Sequence, residues 1–139
     1  MQIGKFIILD VWKRFIMETK ALRVSLYIGA LFNFFAAVIL AFATTLGKVF
    51  ELPDPGSMFY NYLLSFIVAT FGVVYVWLAL QKVINRPLLT LSAIGKFGIF
   101  LISLFCWTND TISFRAFSVS VGDLIFSCIF FWWLFSAKE

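Results

Sequence analysis

Four apolar runs separated by short polar breaks set the pattern of this chain, at about residues 24–47, 58–80, 88–107 and 116–135. Crossing the hydrocarbon of a bilayer takes roughly 20 residues at 1.5 Å per residue, so each run is long enough to cross once. The breaks match in composition. Lys48 through Ser57 holds Pro53, Pro55 and Gly56, residues 81–87 form a tight polar connection, and 108–115 form a polar link. The pattern predicts an all-α integral membrane fold, an antiparallel four-transmembrane-helix bundle in one domain over residues 1–139. Loops this short imply that consecutive helices are antiparallel neighbours.

Residues 1–22 follow a different pattern. Ile3, Ile7, Ile8, Val11, Phe15 and Ile16 recur at helical spacing, while Lys5, Asp10, Lys13, Arg14 and Glu18 occupy mostly another sector. That predicts an interfacial amphipathic helix ahead of the first span, its basic residues toward anionic headgroups. The alternative is a first span that begins early. The charges are scattered and no small-residue cleavage site follows a short apolar core, so a cleaved signal peptide fits poorly.

Composition sharpens the picture. Of 139 residues, 63% are apolar, 20% aromatic and 13% charged, more apolar surface than a soluble domain of this length can hide. Eleven Lys and Arg against seven Asp and Glu leave +4. No basic patch interleaves with stacking aromatics in a polar setting, so nucleic acid is not an expected partner. The basic residues instead report orientation. Lys5, Lys13, Arg14, Lys20, Arg23, Lys82, Arg86 and Lys138 fall on one side of the spans, against Lys48 and Arg115 on the other. That excess places both termini in the cytoplasm.

With no histidine in the chain, a His-ligated haem or metal and a Ser-His-Asp triad are excluded, and no cofactor is expected. Cys106 and Cys128 fall near what should be opposite sides of the bilayer and form no CxxC pair, so neither a disulfide between them nor dithiol chemistry is expected.

Each span carries a small or polar stripe: Gly29, Asn33 and Ala37; Asn61, Ser65 and Gly72; Ser92, Lys96 and Ser103; Ser120, Asp123 and Ser127. Membrane helices turn such faces toward one another. Lys96 and Asp123 are the ionisable pair well inside the apolar runs, and at about 2.5–3.5 kcal/mol per charge at a bilayer centre they need partners. An ion pair between them is one reading. Their backbones are offset by roughly 5 Å along the helices, and side chains lean toward their own N-termini, which widens the gap. In the other reading Lys96 meets Asn33 at its own depth, while Asp123 meets Ser65 and, further out, Asn61 and Tyr62. A wet pocket between the charges accommodates both.

Arg86-Pro87-Leu88, Gly95-Lys96-Phe97 and Gly122-Asp123-Leu124 followed by Phe126 resemble segments of small bacterial four-helix membrane proteins of DoxX-like type, whose functions are mostly unassigned. The resemblance covers the last two helices. It implies a bacterial inner-membrane bundle and carries over no catalytic residue.

Three functions are compatible with these features. Wide aromatic faces, nineteen Phe and short loops suit a non-catalytic accessory or structural subunit, with membrane lipids and other membrane-protein subunits as partners. The alternative is a small carrier or proton-coupled channel built on Lys96 and Asp123. The third is a membrane enzyme acting on a lipid or quinone, the least supported for want of His, CxxC or a carboxylate cluster.

Overall fold

Prolines and capping residues divide the chain into four long helices. The computed structural model describes residues 3–53 and 56–136, with side chains from Met17 onward except Glu18. Helix α1 runs Ile3–Ala41 without a break, and its apolar portion is Thr19–Ala41. It gives way at Phe42 to a π-helical turn, Ala43–Gly47, closed by Leu46 and Gly47 amides donating to the Phe42 carbonyl. The first span therefore ends at Ala41, short of the expected 47, because residues 42–47 are apolar enough to continue the run but wind differently. The helical backbone passes through 22–24 continuously. The expected docking of residues 1–22 on a leaflet rests on side chains 3–16 and 18 and on residues 1 and 2, which lie outside those described.

Helix α2 occupies Met58–Leu80, between an extended Ser57 and an extended Gln81. Helix α3, Arg86–Thr108, starts where the Asn85 side chain accepts from the Leu88 amide at 3.0 Å, with Pro87 in the first turn, where its missing N–H has no consequence. The chain leaves α3 through Asp110 at φ 54°, the left-handed conformation that Asp tolerates. Helix α4, Phe114–Ser136, is capped by the Ser113 hydroxyl accepting from the Ala116 amide at 3.1 Å. All four are long and apolar enough to cross a membrane. At 1.5 Å per residue the 23-residue helices α2, α3 and α4 are each about 35 Å long.

Packing pairs α1 with α2 and α3 with α4, and joins the pairs through α1 and α4. The pairs are stitched by side chains reaching partner backbone: Ser65 to the Ala37 carbonyl (2.7 Å) and Asn33 to the Val68 carbonyl (3.3 Å) between α1 and α2, and Ser127 to the Ala93 carbonyl (2.9 Å) between α3 and α4. The small polar stripes do face neighbouring helices. Helices α2 and α3 correct the expectation that every consecutive pair packs. Their backbones do not pack along their length although only residues 81–85 join them. A short loop brings two helix ends together; it does not close the space between the helices above it.

At the end of the bundle near that loop, Leu22, Leu26, Leu78, Leu89 and Phe130 form a buried apolar plug. Two arginines finish the helices there. Arg23 donates to the Ala79 carbonyl in the last turn of α2 (2.5 Å) and to the Lys82 carbonyl just beyond it (3.1 Å), and Arg86 donates to the Leu134 carbonyl in the last turn of α4 (2.6 Å) while its guanidinium lies 5.7 Å from the Trp133 ring centre. Carbonyls at a helix C-terminus lack intrahelical partners and carry the negative end of the helix dipole, so both arginines satisfy them and oppose that charge.

Candidate intramembrane site

Above the plug the four helices diverge around a cavity of about 370 Å³. Its inner end is polar. Lys96 of α3 is 3% exposed, and its Nζ donates to Asp123 Oδ1 of α4 at 2.6 Å and to Asn33 Oδ1 of α1 at 3.0 Å. The Asn33 amide nitrogen in turn donates to the Val68 carbonyl of α2, so one side chain is fixed by a second helix while holding the lysine. Both sequence readings of Lys96 hold at once: it pairs with Asp123 and binds Asn33. The backbone offset is bridged by the lysine stem. The Ser127–Ala93 contact, one turn nearer the plug on both helices, sets the register in which the stem reaches.

The charges are enclosed by rings. Phe32, Tyr75 and Phe126, from α1, α2 and α4, have centres 5.3, 5.4 and 5.3 Å from the Lys96 ammonium. Each presents the negative face of an aromatic quadrupole to the cation, a contact worth on the order of 2 kcal/mol when desolvated. Tyr75 is 2% exposed, with its hydroxyl against the side chains of Ser92 and Asn33. An ion pair, an amide hydrogen bond and three ring faces together offset the desolvation of a charged lysine at mid-helix.

Asp123 is bound through one oxygen. Among the described residues nothing donates to its Oδ2, and the side chain, 11% exposed, lines the cavity. Ser92 and Ser120 line it too, each donating its hydroxyl proton within its own helix, to Leu88 (2.9 Å) and Phe117 (2.7 Å); the Ser92 oxygen lies against the Tyr75 hydroxyl, and the Ser120 oxygen is left to accept. Away from this end the walls are apolar apart from Ser103, with Leu40, Leu64, Ile67, Phe71, Ile99 and Val119.

Of the six residues singled out from sequence, Lys96, Asp123 and Asn33 come together. Ser65, Asn61 and Tyr62 do not join them. Ser65 is used against the α1 backbone, Asn61 Nδ2 is buried without a hydrogen-bond partner among the described residues, and Tyr62 is 55% exposed on the outer face. The expectation that they serve Asp123 fails because the polar stripe of α2 turns to α1, its packing partner, and the cavity separates it from α4. The cage of Phe32, Tyr75 and Phe126 was missed. Position offered a signal: Phe32 precedes Asn33, Phe126 stands one turn from Asp123, and Tyr75 continues the Ser65–Gly72 face.

No protein-family model, no curated protein and no solved structure matches the chain. Its function has to be argued from the site.

Proposed function

We propose that this chain is an integral membrane protein of four spans whose task is to bind a small, membrane-dissolved molecule between its helices. The observation that carries the reading is the cavity itself: all four helices wall it, its sides are apolar, and it ends on a buried charge pair with an acceptor to spare. Small-molecule sites are commonly concave, mostly apolar and furnished with a few convergent polar groups, with volumes from about 300 Å³ upward. Intramembrane ionisable residues are kept where they line such cavities. The outer faces, with Leu31, Phe66, Ile102 and Phe105 at 65–70% exposure, suit acyl chains as their surroundings.

A non-catalytic accessory subunit would need a packed interior and a specific outer face, and a built polar pocket has no part in that role. A channel would need a path through the plug of Leu22, Leu26, Leu78, Leu89 and Phe130, which is buried in this conformation. A carrier shares the binding step proposed here and adds a second conformation to it. The distribution of basic residues supports a cytoplasmic location for the plugged end.

The test is recovery of ligand. Protein purified in lipid nanodiscs should carry a co-purifying small molecule by native mass spectrometry. Replacing Ala36 or Val119, both on the cavity wall, with Trp should expel it without loss of thermal stability. An empty wild-type protein that stays empty after incubation with extracted membrane lipids overturns the proposal.

A further inference from the structure

The lining of the cavity changes between its inner end and its α2–α3 side, and the two regions carry different information about what it admits. On the α2–α3 side the walls are also outer surface. Leu64 and Ile67 of α2 and Ile99 of α3 line the cavity while remaining 47%, 44% and 47% exposed. Gly95 stands beside them on α3, exposed, and a Cβ built there meets nothing within 4 Å. Since α2 and α3 do not pack along their length, this side is a slot through the wall at mid-helix depth, with no side chain at Gly95 to narrow it.

The inner end selects by charge and by hydrogen bonding. Lys96 and Asp123 neutralise one another, so a ligand with a full charge would add an unbalanced ion to a low-dielectric interior. Unused capacity there is mainly accepting: Asp123 Oδ2, and the lone pairs of Ser120, whose proton is committed to a carbonyl. A group that can only accept leaves the carboxylate oxygen unmatched, whereas a hydroxyl fills it.

Resting on the binding reading above, we infer that the site takes an uncharged, hydroxyl-bearing amphiphile directly from the bilayer, admitted sideways between α2 and α3 past Gly95, with its hydroxyl donating to Asp123 and its apolar chain along Ile67, Phe71 and Ile99. The bilayer is the reservoir, and the slot opens where acyl chains would lie.

Photolabelling of the full chain in phosphatidylcholine vesicles tests this. Four probes share one diazirine-bearing dodecyl chain and end in a hydroxyl, a methyl ether, a sulfonate or a trimethylammonium. The alcohol should mark peptides containing Phe71, Ile99 and Val119 at least about tenfold more than the other three, a tenfold ratio being one decade in binding constant. Gly95→Trp should abolish that labelling while Gly95→Ala retains it. Ile99→Trp, from an exposed position on the same edge, replaces Gly95→Trp should the latter not fold. Equal labelling by the ether overturns the donor to Asp123, and equal labelling by either charged probe overturns the uncharged class. Undiminished pocket labelling in the folded Trp variant overturns the slot and leaves the pocket standing. Adducts confined to the outer faces for all four probes overturn the binding reading together with its refinement.

Discussion

Ser127 on α4 donates its hydroxyl to the Ala93 carbonyl of α3 at 2.9 Å, one turn from the point where Lys96 meets Asp123. Both residues of this contact are fully buried, so it fixes how far α4 slides along α3. The Ala93 carbonyl keeps its place in the helix when the serine is lost. Ser127→Ala should therefore lower stability by only about 0.6 kcal/mol, the average for interhelical polar contacts in membranes. Ser127→Leu should do far more, because a side chain with no room at 0% exposure separates the helices and pulls Lys96 from Asp123. Reversible unfolding in mixed micelles measures both. Equal losses in the two variants would show that the register is set elsewhere.

Two glycines make close approaches of opposite consequence. A Cβ at Gly72 would lie 2.8 Å from Cε1 of Phe34, and one at Gly122 would lie 3.0 Å from Cζ of Phe32. Phe34 is 37% exposed and its ring can swing outward. Phe32 forms one face of the Lys96 cage and cannot move without opening it. Gly72→Ala should be tolerated within about 1 kcal/mol, whereas Gly122→Ala should cost about 1–3 kcal/mol and alter the Lys96 environment. Thermal unfolding combined with the NMR shift of an isotopically labelled lysine separates them; the reverse order would show that the cage is not a rigid unit.

Arg23 and Arg86 reach carbonyls at the ends of α2 and α4, helices other than their own. Arg23→Gln should speed amide hydrogen exchange in residues 79–85 selectively, through fraying of α2 and of the connection that depends on it. Arg86→Lys keeps the charge but loses the planar contact with Trp133, so it should loosen the end of α4 almost as much as Arg86→Gln. Exchange rates unchanged in these windows would assign the arginines to orientation alone.

The charge distribution predicts which ends face out. With Cys106 and Cys128 replaced, cysteine at Ser57 or Thr111 should react with an impermeant thiol reagent added to intact cells, and cysteine at Asn85 only after permeabilisation. Inverted labelling would reverse the orientation and place the apolar plug on the outside.

Legibility in the sequence differed by element. The second run matches α2 at 58–80 because Ser57 and Gln81 are extended on either side, while the first overran because residues 42–47 look alike whether they wind as α or π. Lys96 and Asp123 stood out because charge is rare in apolar runs. Their cage did not, since three of its members had to be chosen from a chain with nineteen Phe and four Tyr, and only helix rotation tells which ones face inward. The separation of α2 from α3 was not legible at all. Loop length constrains the ends of two helices, whereas the cavity between them follows from how α1 and α4 pair with each.

Removing either charge should expose an asymmetry that composition alone does not imply. Without Asp123 the lysine keeps Asn33 and the faces of Phe32, Tyr75 and Phe126. Without Lys96 the aspartate keeps no donor among the described residues and faces the same ring-lined interior. Lys96→Met should therefore destabilise more than Asp123→Asn, with the larger loss approaching the ~3–5 kcal/mol of an orphaned buried charge. The double variant should recover part of it, since it leaves no charge unmatched, and the coupling can be read from a double-mutant cycle of unfolding free energies in detergent. Additive losses would mean that the two groups are solvated independently through the cavity. An Asp123→Asn loss larger than that of Lys96→Met would mean that the three rings contribute little to holding the lysine.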